Sequence, residues 1–231
     1  MNISKYIPSV FTSANLACGF IAILVNDPYL SPLVILLGSF FDLFDGAIAR
    51  KLNASSDFGA ELDSLADLVS FGVAPAYLYF NHVLFSANKI IAATSVSFIV
   101  IFAALRLAKF NIDTQQKSNF IGVPSPASGL FFAMMVYESQ AQKFFDYDNY
   151  VFLWISLPVI FGLLMVSPLK FYALKKSDQK FNFTIKTSII FIFAISGIIW
   201  LSTDFPSIPF AFILYILISI FYYNFLLKSK E

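Results

Sequence analysis

Eight stretches of this chain approach the length and apolarity of a bilayer crossing, and that fact narrows its folding more than any other. They lie at approximately 9–26, 31–50, 60–80, 89–109, 125–141, 150–167, 185–202 and 207–227. A spanning helix needs roughly 20 predominantly apolar residues. In hydrocarbon every backbone N–H and C=O must find its partner inside the protein, which leaves helices or a closed barrel. Runs of this length select helices. The expected fold is therefore all-α, a polytopic bundle of about eight transmembrane helices forming one domain over residues 1–231.

Composition agrees. Charged residues make up 13% of the 231, against 58% hydrophobic, where a soluble domain carries about a quarter charged. The net charge of +1 leaves no basic footprint for nucleic acid. The single cysteine, Cys18, has no partner for an internal disulfide and reads as a small buried hydrophobe. Lys5 followed by an apolar run has the outline of a signal peptide. Thr12, Ser13 and Asn15 interrupt that run, so it reads as a retained first helix.

Lysine and arginine set the orientation. Eight crossings gather Lys5, Arg50, Lys51, Arg106, Lys109, Lys117, Lys170, Lys175, Lys176, Lys180, Lys186, Lys228 and Lys230 on one side. Only Lys89 and Lys143, with His82, fall on the other. The positive-inside rule makes the first side, with both termini, cytoplasmic in a cell (inner) membrane.

One region contradicts the apolar pattern. Between Phe41 and Ser70 stand Asp42, Asp45, Asp57, Glu61, Asp63 and Asp67, six of the chain's 14 carboxylates. Each acid within a membrane costs at least about 2.5–3.5 kcal/mol on insertion scales, so a cluster needs a compensating role. Asp42, Asp45 and Gly46 share a helix face, as do Gly59, Asp63 and Asp67 on the next helix. A short link makes the two helices antiparallel neighbours with their acids across one seam. Such acids cannot all ionise without cations between them. All-oxygen ligation favours Mg2+, Mn2+ or Ca2+ over zinc. Gly46, Ala49, Gly59 and Ala60 clear space beside the acids, and Arg50 offers a fork that fits phosphate. These are the requirements of pyrophosphate chemistry.

The pattern Asp42-x2-Asp45-Gly46-x2-Ala49-Arg50-x8-Gly59-x3-Asp63-x3-Asp67 resembles the signature of the CDP-alcohol phosphatidyltransferases at all eight fixed positions across residues 42–67. The resemblance implies two divalent cations at the cytoplasmic side and a homodimer. By motif position, Asp42, Asp45 and Asp63 would hold one metal, and Asp42, Asp63 and Asp67 the other. Asp67 would also be the general base. Gly46, Ala49, Arg50 and Gly59 would line the CDP-lipid pocket, with Thr12 and Asn15 as further candidates. Asp57 and Glu61 fall outside the signature.

Two later stretches, 103–111 and 120–128, and the N-terminal 7–15 are similar to segments of bacterial and archaeal phosphatidylserine synthases. The reaction so implied joins CDP-diacylglycerol and L-serine to give phosphatidylserine and CMP. Arg106, Lys109, Asn111 and Ser125 are then the candidates for serine. Glycerol 3-phosphate is the alternative acceptor, and it would want a denser basic pocket. A divalent-cation transporter is the rival from another class. It predicts acids near mid-membrane on discontinuous helices and an internal repeat, whereas these acids sit at the ends of two consecutive helices. Glu138 is expected at the external end of its helix, solvated or paired, and His82 at the interface far from the acids.

Overall fold

In the computed structural model, residues 6–52, 54, 56–112, 120–139, 150–171, 180–203 and 207–221 are described. The architecture is helical, as expected, but for one short strand pairing. Helix α1 (Ile7–Val25) and α2 (Leu30–Lys51) form an antiparallel hairpin in which Phe11 at the start of α1 meets Phe41 and Phe44 near the end of α2. The reversal is built by Asp27. Its Oδ1 accepts from the amides of Tyr29 and Leu30 at 2.9 and 2.7 Å, while its own amide donates to Ser31 Oγ at 3.0 Å. The two amides hold the Asp27 carboxyl below the ordinary carboxylate range.

Next comes a rod over 57–82 in three parts. They are α3 (Asp57–Asp67), a π-helical turn (Leu68–Val73) and α4 (Ala74–His82). Ser56 caps its start, accepting from Gly59 N at 3.1 Å. The rod is the hub of the bundle, with α1, α5 (Lys89–Ile112) and α6 (Ser125–Ser139) all packed against it. Helix α7 (Val151–Val166) lies on α5, and α8 (Lys180–Ser202) pairs with α9 (Ser207–Phe221), which also reaches α6.

The core lies where the rod, α6 and α7 meet. Phe131 stacks on Phe161 at 4.2 Å between ring centroids, and Phe132 sits edge-on to Tyr79 at 5.0 Å. The Tyr79 hydroxyl donates to the carbonyl of Trp154 at 3.1 Å, so the ring is buried without stranding its polar atom. Close approach to the rod depends on glycine. A Cβ on Gly129 of α6 would lie 2.6 Å from the backbone of Phe71. At the other end of the bundle Tyr29, Tyr137 and Trp200 form an aromatic chain, in keeping with a belt at a membrane interface.

A two-residue antiparallel pairing, β1 (Phe120–Ile121) with β2 (Lys170–Phe171), interrupts the helices. Gly122 follows it at φ 80°, against the backbone of Met165, and its amide donates to Leu169 O at 2.9 Å. This knot fixes where α6 begins.

The chain is a membrane protein. Among the described residues, three helices, α1, α2 and α5, are long and apolar enough to cross a bilayer. Helix α7, at 16 residues, falls just inside the stretch expected at 150–167, and the far ends of the stretches expected at 125–141 and 207–227 lie outside the described residues. Lys5, Lys117, Lys143, Lys175, Lys176, Lys228 and Lys230 lie outside the described residues, as do the side chains of Lys170, Lys180 and Lys186. Cys18 is buried. Glu138 is 4% exposed, so of the two states expected for it, solvated or paired, the solvated one gives way. The His82 ring, half-buried, meets Asn26 at the end of α1, 3.1 Å from its carbonyl.

Candidate active site

Asp42 and Asp45 sit in the last turns of α2, and Asp63 and Asp67 in the last turns of α3. The i, i+3 and i, i+4 spacings turn each pair to one side of its helix, and the sides face each other. Oxygens of Asp42, Asp63 and Asp67 all lie within 4.8 Å of one another. Asp45 stands beside them, 5% exposed, on the walls of two adjoining cavities. Buried Asp45 Oδ2 and Asp63 Oδ1 have no hydrogen-bond partner. Converging carboxylates with unused buried oxygens suit a hard divalent cation, so the donor set fits the expected metal.

The smaller cavity, about 160 Å³, opens between the starts of α1 and α3 and the end of α2. Thr12, Gly46, Ala49, Gly59 and Ala60 line it with Asp45 and Asp63. Small residues make the space, and the capped N-terminus of α3 presents amide dipoles that favour an anion. The larger cavity, about 340 Å³, runs from Asp42, Asp63 and Asp67 to Arg106, Asn111 and Ser125. Arg50 borders it, and its Nη1 lies 3.3 Å from where a Gly46 Cβ would stand. The guanidinium thus folds back over the bare glycine.

Arg106 reaches the larger cavity from α5 although it is only 9% exposed. Its Nη1 donates to Ser125 Oγ at 2.9 Å, across from the first turn of α6. A buried guanidinium beside an acid cluster is a costly arrangement. It is oriented here by a hydroxyl that the Gly122 knot holds in place. Asn111 lies at the rim and accepts from Ser64 Oγ at 3.1 Å. Lys109 is exposed and lines neither cavity. Asn15 also lines neither. It is fully buried and donates from Nδ2 to Asp67 Oδ1 at 3.3 Å.

Three participants were not singled out from the sequence. Ser64 stands one residue from Asp63, where helical phase alone would place it near the acids. Ser70 donates to the Asn15 carbonyl at 2.8 Å, a contact that depends on the π turn and has no signal in spacing. Tyr215 of α9, 7% exposed, comes within electrostatic reach of Arg106 from a helix that reads as apolar filler.

Fold and site together define a helical membrane protein with a carboxylate cluster, fit for divalent metal, at the junction of two cavities. A family model described as CDP-alcohol phosphatidyltransferase matches residues 5–161. The chain belongs to the CDP-alcohol phosphatidyltransferase family. It is 40% identical over 175 residues to a CDP-diacylglycerol–serine O-phosphatidyltransferase of Bacillus subtilis, covering 74% of this chain and 93% of that one. Likenesses to proteins of the same description come from Methanocaldococcus jannaschii, at 40% over 171 residues, and Helicobacter pylori, at 35% over 174. The first spans 74% of each chain and the second 73% of each.

Proposed function

We propose that this protein is an enzyme transferring the phosphatidyl group of CDP-diacylglycerol to the hydroxyl of L-serine, releasing CMP. The observation that carries the reading is the placement of Arg106 and Ser125 at the far wall of the cavity that begins at the acid cluster. A buried guanidinium held by a hydroxyl suits a carboxylate, the charge by which serine differs from simple alcohols. The names of the relatives point the same way.

The residues divide the work. Thr12, Gly46, Ala49 and Gly59 take the nucleotide into the smaller cavity, while Arg50 meets its phosphates. The acyl chains stay among lipid, because the cavities open at the ends of membrane helices. Arg106 holds the serine carboxylate and so turns the hydroxyl towards Asp67. Asp67 accepts the hydroxyl proton as the oxygen attacks the lipid-side phosphorus. The bond to the bridging oxygen breaks, and CMP departs with the electron pair. Two divalent cations, Mg2+ or Mn2+, held by Asp42, Asp45, Asp63 and Asp67, supply charge neutralisation at the pyrophosphate when bound. Lys109 serves as a positive-inside anchor rather than a serine ligand, in keeping with its exposure.

The proposal extends to topology. One domain over 1–231 makes about eight crossings, places the acids and both termini at the cytoplasmic face of the cell membrane, and works as a homodimer.

Replacing Arg106 by methionine tests the acceptor assignment. The expected outcome is a rise in KM for serine of about 10- to 100-fold, the loss of one charge-assisted contact, with KM for the CDP-lipid unchanged. An unchanged KM for serine in a folded variant contradicts the assignment.

A further inference from the structure

Asn15 is a fully buried amide that lines neither of the two cavities, and that combination asks what it is for. Its Nδ2 donates to Asp67 Oδ1 at 3.3 Å. Its Oδ1 has no hydrogen-bond partner and is closed off by Gly38, whose Cβ would lie 3.0 Å away. The side chain therefore spends its hydrogen bonding on a single contact, the one to Asp67. The opposite amide orientation would set oxygen against carboxylate oxygen, so the contact also fixes the amide. An apolar side chain would fill the same space without burying an unused acceptor.

The backbone around Asn15 is fastened to the same place. Ser70 Oγ donates to the Asn15 carbonyl at 2.8 Å, three residues beyond Asp67. One turn along α1, Gly19 lets the Ser70 backbone approach to where a Cβ would be 2.6 Å from its Cα. Asn15 and Gly19 thus form one face of α1, latched onto the passage from α3 into the π turn. Carboxylates that hold metals are themselves commonly oriented by outer hydrogen bonds, and losing such a partner costs about 10- to 100-fold in metal affinity or activity.

We propose that Asn15 is a positioning residue for Asp67. By holding Oδ1 from α1, it sets the carboxylate's rotation, so that the other oxygen is presented to the cation and to the acceptor hydroxyl. The Ser70 bond keeps α1 in register with the rod while this happens. The inference rests on the proposed role of Asp67 and moves Asn15 from the nucleotide's contacts to the support of the base.

The test measures Mn2+ binding by electron paramagnetic resonance on purified full-length protein, with no acceptor or CDP-lipid present. Asn15→Leu keeps the volume and removes the amide, and Asn15→Ser serves if the leucine variant does not fold. The expected result is an Mn2+ affinity lower by about 10- to 100-fold. kcat falls with it, while KM for the CDP-lipid is unchanged. In an Asp67→Asn background, adding Asn15→Leu lowers Mn2+ affinity no further, because the group it orients is already altered. Wild-type affinity in a folded Asn15 variant, or fully additive losses in the double variant, overturns the proposal. Mn2+ binding is read without the acceptor, so an error about serine leaves this test standing.

Discussion

Replacing Gly19 with alanine inserts one methyl group between α1 and the π turn that follows Asp67. The new Cβ would fall 2.5 Å from Ser70 Oγ, 2.6 Å from Ser70 Cα and 2.9 Å from Ser70 N. The hydroxyl can rotate away, but Cα and N are backbone. Ordinary contact begins at 3.4 Å, so the elements must part by about 0.8 Å. That separation stretches the 2.8 Å bond from Ser70 to the Asn15 carbonyl past useful range and draws the Asn15 amide off Asp67. Overpacking of this kind costs about 1–3 kcal/mol of stability. A displacement near 1 Å at a reacting group costs on the order of 100-fold in rate. The variant should melt earlier in detergent and release CMP at about one hundredth of the wild-type kcat. A Gly19→Ala protein with wild-type melting temperature and kcat would refute the claim that close packing here positions Asp67.

Other substitutions separate the roles of the two cavities. Asp67→Asn keeps the shape and removes the base, so turnover should be lost while labelled CDP-lipid still binds; retained turnover would remove Asp67 from proton transfer. Ala49→Leu should fill the smaller cavity, raising KM for the CDP-lipid and sparing KM for serine. The opposite pattern in steady-state kinetics would reverse the assignment of the two cavities.

The acid cluster was legible because helical phase is arithmetic. Spacings of three and four put Asp42 with Asp45 and Asp63 with Asp67 on common faces, and one short link made the faces meet. Gly46, Ala49 and Gly59 were legible for a related reason, since small residues beside acids leave a space that any helical pairing would preserve. Asn15 was not legible as a neighbour of Asp67, because its depth depends on how far α1 turns about its own axis. That rotation is set by Gly19, Gly38 and the π turn, and a π turn leaves no mark in hydrophobic period. Depth was equally illegible at Lys109. It lies three residues from Arg106, yet it is exposed while Arg106 is buried against Ser125. The apolar runs carried the helical class, and α7 fills its expected run to within a residue at each end.

The most direct test of the account is CMP release from CDP-diacylglycerol by the purified protein. Serine, glycerol 3-phosphate and an inositol phosphate are offered separately, each with Mn2+ or Mg2+ and again with chelator. The account predicts release that needs both serine and the divalent cation, with labelled serine appearing in the lipid product. Release with glycerol 3-phosphate or the inositol phosphate, and none with serine, would contradict the proposed acceptor; serine-dependent release that survives the chelator would contradict the metal role of the aspartates.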